Sequence, residues 1–330
     1  MGQPQPQQRP EQGVVRFYNF LPEGGSFLDD VLRGMAQPQK SLPSKYLYDA
    51  RGCELFDKVG ELPDYYLART ELEILRAHAG AMAKFLGTDC QLIEFGPGSS
   101  KRTRILIDAL QPPLYVLIHA DGESMQATAD GLAQLFPWLN IIGIRADCTK
   151  SLTLPEFVGI PIRKKAVYFP GSDLGHFTPE EAIAVLQLAR RMVGAGGALL
   201  AGVDLNMDKA LLEAAGNDAT GVNAAFNLNL LARINRELGA DFQLRRFGHK
   251  CRYDENKSRV EMRIESLAAQ LAHLGGVRLH FGQGETIATE ISCKYSVEQF
   301  RAVAQRAGFE PGQTWIDAAN LVSVHGMIAV

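Results

Sequence analysis

"LIEFGPGSSKRT", residues 92–103, runs from apolar residues into an acid, Glu94, then through two glycines, Gly96 and Gly98, into small polar residues that open a helical segment. A strand, a glycine turn and a helix N-terminus make a nucleotide pocket, and the details of the turn narrow the nucleotide. The dinucleotide fingerprint asks for a third glycine, so that helix and strand pack closely, and that position is Lys101. A nicotinamide oxidoreductase is therefore disfavoured. S-adenosylmethionine suits the turn better: its charged amino-acid end approaches only bare backbone, which Gly96 and Gly98 offer, and Glu94 can receive its ammonium. The plain alternative is a turn that merely joins strand to helix, because a lone GxG is a weak signal.

Working outward, the runs "CQLIEF" (90–95), "YVLIHAD" (115–121), "NIIGIRAD" (140–147), "AVYFPGSD" (166–173) and "GALLAGVDL" (197–205) read as buried strands. Acids or glycines at their ends suit parallel strands whose C-terminal ends line a crevice. Asp121 and Asp147 fall at such ends, placed for a ribose and an adenine, and they strengthen the S-adenosylmethionine reading. "TPEEAIAVLQLARRMV" begins with a capping box and keeps an apolar stripe at three- and four-residue spacing, as a covering helix does. The alternation predicts a doubly wound α/β sheet. After residue 206 the pattern changes. "VNAAFNLNLLARINRELG" reads as an amphipathic helix ending at Gly239, and "FQLRRFGHKCRYD", "RVEMRIESL" and "VRLHFGQGETIATEIS" alternate in polarity like half-exposed antiparallel strands, with "DENKS" as the turn between the first two. The helix "SVEQFRAVAQRAG" and the apolar "LVSVHGMIAV" return the chain to the main sheet.

The 330 residues are 46% hydrophobic and 22% charged, with a formal net charge of -3, so no global attraction to nucleic acid or an anionic membrane is expected. No apolar run approaches the ~18 residues needed to span a bilayer. Residues 1–13 read as a disordered tail without a secretory core. Five scattered cysteines without a CxxC pair, and seven histidines without HxH or HExxH, argue against a disulfide framework or a metal site and fit a cytoplasmic chain. A monomer acting on a small molecule is expected.

"SLPSKYLYDARGCELFDKVGELPDYYLARTELEIL" (41–75) resembles a block of the histidine Nα-methyltransferase family of ergothioneine biosynthesis, which also contains fungal methyltransferases acting on prenylated tryptophan. The resemblance continues through "LIEFGPGSSKRTRILIDAL", "FPGSDLGHFTPEEA", "ATGVNAAFNLNLLARINRELGADF", "VEMRIES" and "TEISCKY", over roughly residues 40–310. It implies an α/β fold: a Rossmann-like, doubly wound methyltransferase domain (70–206 and 295–330) with a smaller, sheet-rich substrate-binding domain (14–69 and 207–294).

The resemblance also implies roles. Gly96 and Gly98 hold the methionine part of the cofactor, and Arg102 stands where the family often has a Lys near the cofactor carboxylate. Asp147 with Cys148 matches the pair that reads adenine. The family's ribose acid is here His119, leaving Asp121 as the nearest substitute. Tyr48, Phe56 and Tyr65 match an aromatic substrate wall, with a hydroxyl of Tyr48 or Tyr65 orienting the amine, and Met262 matches a pocket-lining position. Glu290 and Ser292 match the residues that hold an imidazole.

Two departures bear on the substrate. The loop that begins at Gly171 ends in His176 where the family has a carboxylate-gripping Asn, and the family's second carboxylate ligand, a Tyr, aligns with Gly216. Free histidine is thus expected to bind poorly, and Gly216 to open volume for an amine that is larger or carboxylate-masked. Exchanging His176 for Asn and Gly216 for Tyr is expected to restore histidine. The rival reading is a non-catalytic relative that binds S-adenosylmethionine as a scaffold, motivated by the altered positions 119, 176 and 216.

Overall fold

The computed structural model describes residues 13–21, 26–96, 100–147, 149–150, 152–155, 159–160, 162–205 and 208–330. The expected tail lies outside these residues except for Gly13, as do Gly98 and Cys148.

The chain opens with β1 (Val15–Asn19), α1 (Ser26–Met35), α2 (Ala50–Val59) and α3 (Tyr66–Leu86). The α/β alternation follows: β2 (Cys90–Phe95), α4 (Ser100–Leu110), β3 (Leu114–His119), α5 (Gly122–Leu135), β4 (Asn140–Arg145), β5 (Lys164–Phe169), α6 (Pro179–Val193) and β6 (Ala198–Asp204). Next come α7 (Lys209–Gly216) and α8 (Val222–Leu238), then β7 (Phe247–Asp254), β8 (Arg259–Ser266), β9 (Gln270–Leu274), β10 (Val277–Phe281) and β11 (Thr286–Cys293). The chain closes with α9 (Val297–Arg306), β12 (Phe309–Ile316) and β13 (Val322–Ala329).

Eight strands form one sheet in the order β1-β4-β3-β2-β5-β6-β13-β12, parallel from β1 to β6 and antiparallel at β13 and β12. Every residue of β2 and β6 is buried, as central strands covered by helices on both faces must be. The covering helices are locally specified. In α6, Thr178 and Glu181 close a capping box, with Pro179 at the first helical position. β2 and β5 are neighbours although α4, β3, α5 and β4 intervene in sequence. The chain therefore reverses direction across the sheet between them, and a crevice opens beyond their C-terminal ends.

A three-stranded antiparallel sheet, β11-β8-β7, and the hairpin β9–β10 form the second layer, with α2 against α8 beside them. Asp254–Ser258 makes the β7–β8 turn, as expected from "DENKS". Two segments sit differently from the sequence-based division. Residues 15–19, assigned to the substrate-binding unit, are an edge strand of the main sheet, hydrogen-bonded to β4 along its length. The boundary at residue 70 cuts through α3, one continuous helix that packs on α4 and β13 and so belongs with the main sheet. Phe309–Ile316 extends that sheet by a further strand that the alternation had not marked.

Candidate functional site

The crevice at the ends of β2 and β5 is shaped by two tight turns. After β2, Gly96 has φ 59, and among the described residues a Cβ there would meet nothing nearer than Asp173 Oδ2 at 3.8 Å, which leaves the backbone open toward that acid. After β5, Gly171 (φ 64) and Ser172 (φ 63) are both left-handed, which swings Asp173 back over the sheet edge toward Gly96. The second turn is braced from below. Glu71 of α3, fully buried, accepts the Gly171 amide at 2.9 and 3.0 Å and the Arg102 guanidinium at 3.0 Å. Gly202 on β6 leaves the space Glu71 occupies, since any Cβ there would overlap its carboxylate.

Glu94 does not face the crevice. Its carboxylate is completely buried beneath the sheet, accepting from Thr103 Oγ1 at 2.9 Å and Tyr115 Oη at 2.8 Å. Burial pushes it up to about 7 against those two hydroxyls. The expectation that Glu94 receives the cofactor ammonium is therefore corrected: the acid ties α4 and β3 to β2. Arg102, expected beside the cofactor carboxylate, is turned into Glu71, with its Nε buried and unpartnered.

On the β3 and β4 side, Asp121 caps α5 through Ser124 at 2.8 Å, and its own amide donates to His119 Nδ1 at 3.0 Å. Burial lowers the His119 imidazole below its ordinary value. Asp147 Oδ1 accepts from the amide and hydroxyl of Thr149, while its Oδ2 takes Lys45 Nζ at 3.1 Å. Burial works against the Asp147 charge, but Thr149 and Lys45 more than offset it and hold the carboxyl below the usual range.

Beside this crevice a cavity opens between the two layers. It is lined by Phe56 and Tyr65 from the N-terminal segment, by Gly171, Asp173 and His176 from the β5 turn, and by Met262, Glu290 and Ser292 from the second sheet. The structure thus brings together residues separated by more than two hundred positions in sequence. Tyr48 stands behind the wall, ring to ring with Phe56 at 5.4 Å, and donates its hydroxyl to Glu290 at 2.9 Å. Burial raises both the Tyr48 and the Tyr65 hydroxyls above their ordinary range, so each is a donor at neutral pH. Glu290 and Ser292 follow a register shift in β11 and pair with Met262 and Val260 of β8.

Both departures take a definite form here. The His176 ring lies roughly parallel to the Tyr48 ring, 6.3 Å between centroids, with its Nε2 3.6 Å from Glu290. The protein thus sets one of its own imidazoles against the acid expected to receive a substrate imidazole. Gly216 also lines the cavity, but it does not open the expected volume: Cys251 Sγ fills the position that a Cβ at 216 would occupy. The Cys251 thiol is 4% exposed and pushed up to about 12 by burial, so it acts as an apolar filler.

The sequence reading also passed over the charged floor of the cavity. Lys294 is ion-paired with Asp204 and donates to Ser292 Oγ at 2.8 Å, and Asp204 accepts Tyr66 Oη at 2.7 Å. Ser292 is therefore already engaged by a neighbour. Lys294 sits inside the quoted "TEISCKY", two residues beyond Ser292 and just past the end of β11, which is the one signal that could have pointed to it.

Comparison with known proteins finds relatives along most of the chain. The chain is 35% identical over 297 residues to the histidine N-alpha-methyltransferase of Mycolicibacterium smegmatis, covering 88% of this chain and 91% of that one. It is 36% identical to the enzyme of the same name from Mycobacterium tuberculosis, with the same coverage. Ergothioneine biosynthesis protein 1 of Neurospora crassa is 28% identical over 84% of this chain, which spans 32% of that longer protein. A family model described as a histidine-specific, S-adenosylmethionine-dependent methyltransferase matches residues 27–329, and the chain belongs to that family.

Proposed function

We propose that this S-adenosylmethionine-dependent N-methyltransferase acts on the amine of histidine or of a related amino-acid-derived compound whose carboxylate is masked. The observation that carries the reading is the cavity itself, which joins Phe56, Tyr65, Met262, Glu290 and Ser292 beside the Gly96 turn. The four described free thiols, Cys53, Cys90, Cys251 and Cys293, support a reducing, cytoplasmic setting.

The residues fit the cofactor. The bare, left-handed Gly96 gives close approach to its amino-acid end, while Asp147 and the His119–Asp121 pair stand at the ends of β4 and β3 for adenine and ribose. Arg102, in the first turn of α4 and with a buried Nε that has no hydrogen-bond partner, is our candidate for the carboxylate. When bound, S-adenosylmethionine supplies an electrophilic methyl group. The protein's own contribution is positioning and exclusion of water, which can amount to several kcal/mol of the barrier. Tyr65 and the aromatic wall fix the acceptor, and the amine must lose a proton before it has a lone pair to offer.

Calorimetry is expected to show saturable binding of S-adenosylmethionine and S-adenosylhomocysteine and none of NAD; NAD binding without either S-adenosyl compound would sink the cofactor assignment. Glu290→Ala is expected to raise KM for the amine substrate about tenfold or more while leaving S-adenosylhomocysteine affinity within about twofold. Loss of both affinities together would show that Glu290 holds β11 in place through Tyr48 instead of reading the substrate.

A further inference from the structure

We propose that Asp173 is the ammonium receptor of the active site: its carboxylate takes the positively charged primary amine presented where the Gly96 turn meets the substrate cavity. The inference rests on the methyltransferase reading and names a residue that the sequence pattern did not assign. Asp173 Oδ2 is buried without a hydrogen-bond partner, lies on the cavity wall, and stands 3.8 Å from the position of a Cβ on Gly96. A buried carboxylate oxygen without a donor is costly, so a site that keeps one is built for a donor that arrives.

The other acids around the cavity are committed. Glu94 accepts from Thr103 and Tyr115, Glu71 from Arg102 and the Gly171 amide, Asp204 from Lys294 and Tyr66, and Glu290, the acid assigned to the substrate ring, from Tyr48. The nearby cations each pair with another acid, Arg102 through Nη1 with Glu71 and Lys294 with Asp204. Asp173 itself feels one guanidinium, Arg102, against the carboxylates of Glu71, Glu94 and Glu290, and burial with this excess of acids holds it well above the ordinary carboxylate range. An arriving ammonium relieves that repulsion and favours the ionised carboxylate, which can then accept a proton from the amine. The step balances simply: an N–H bond of the ammonium breaks, the Asp173 oxygen gains the proton, the nitrogen keeps the electron pair, and the proton passes to water on product release.

The loop is rigid enough to aim the group. The Asp173 amide donates to Pro170 O at 3.1 Å, the Asp204 amide donates to Ser172 Oγ at 3.2 Å, and Gly175 packs so closely on the Cys293 backbone that a Cβ there would lie 2.9 Å from its carbonyl oxygen.

Two primary amines meet at this point, that of the acceptor and that of the cofactor's methionine end, and calorimetry separates them. Asp173→Asn keeps the shape and removes the charge, and Asp173→Ser serves as a second variant should the first fold poorly. The probes are S-adenosylhomocysteine, which carries the ammonium, 5′-methylthioadenosine, which lacks the amino-acid end, and L-histidine methyl ester added to the S-adenosylhomocysteine complex. A fall of about tenfold or more for S-adenosylhomocysteine, with 5′-methylthioadenosine unchanged, supports the proposal and assigns the cofactor amine. Unchanged S-adenosylhomocysteine binding with a similar fall for the ester supports it and assigns the acceptor amine. Unchanged affinity for all three probes in a folded variant overturns it, as does an equal loss of 5′-methylthioadenosine, which would make Asp173 structural. Failure of the unaltered protein to bind S-adenosylhomocysteine would instead strike the cofactor assignment. Failure to bind only the ester would strike the acceptor reading and leave the cofactor arm to decide.

Discussion

Lys294→Met is expected to lower the unfolding free energy by about 3–5 kcal/mol, the usual cost of stranding one member of a buried ion pair. Lys294 and Asp204 have side chains 5% and 2% exposed, so solvent cannot replace the lost partner. The pair also ties the end of β6 to the segment just after β11, where the Tyr295 amide donates to Asp204 O at 3.3 Å and Leu205 bridges to Tyr295. Adding Asp204→Leu should recover part of the loss, because no charge is then left buried. Recovery stops short of complete, since Tyr66 loses the acceptor for its hydroxyl, which costs about 1–3 kcal/mol. Urea denaturation of the two single variants and the double variant gives the coupling energy directly. A loss below about 1 kcal/mol for Lys294→Met, or strict additivity across the cycle, would show that the pair is not the junction described here.

The α/β alternation was legible because buried parallel strands and capped amphipathic helices announce themselves locally, as "CQLIEF" and the Thr178–Glu181 capping box do. β1 was not legible. Its pattern of half-buried and exposed residues is that of an edge strand, and the partner that makes it a strand, β4, lies over a hundred residues away. The same limit applies to the site. Motif positions gave the list Phe56, Tyr65, Met262, Glu290 and Ser292, and the structure gathers them around one cavity. What a motif could not supply is the direction a side chain takes. Glu94 lies at the end of β2 and Asp173 follows β5, yet Glu94 alternates onto the α4 face and is engaged there, while two left-handed residues turn Asp173 the other way. Nor could spacing reveal that Cys251 fills the place beside Gly216, because α7 and β7 meet only in the folded chain.

That contact reshapes the substrate-specificity prediction. The exchange of His176 for Asn with Gly216 for Tyr, which family resemblance suggests, is expected to fail by itself. A side chain at 216 collides with Cys251 Sγ, and overpacking of this kind typically costs 1–3 kcal/mol or displaces the backbone of α7. Adding Cys251→Gly removes the obstruction at its source. The triple variant is then expected to raise kcat/KM for free histidine by about tenfold or more over the unaltered protein, a gain of about 1.4 kcal/mol or more in transition-state stabilisation. Two effects combine. Asn at 176 and Tyr at 216 return donors for a carboxylate that otherwise enters the cavity poorly solvated. Removing the His176 imidazole also clears the space 3.6 Å from Glu290, so that the substrate ring can meet that acid while Tyr48 keeps it oriented. Cys251→Gly alone should not improve histidine turnover, because it supplies no donor. Steady-state kinetics on the unaltered, single, double and triple proteins, each checked by thermal melting, separate the steric effect from the polar one. If the unaltered protein already turns over histidine efficiently and the triple variant does no better, positions 176, 216 and 251 do not set the substrate.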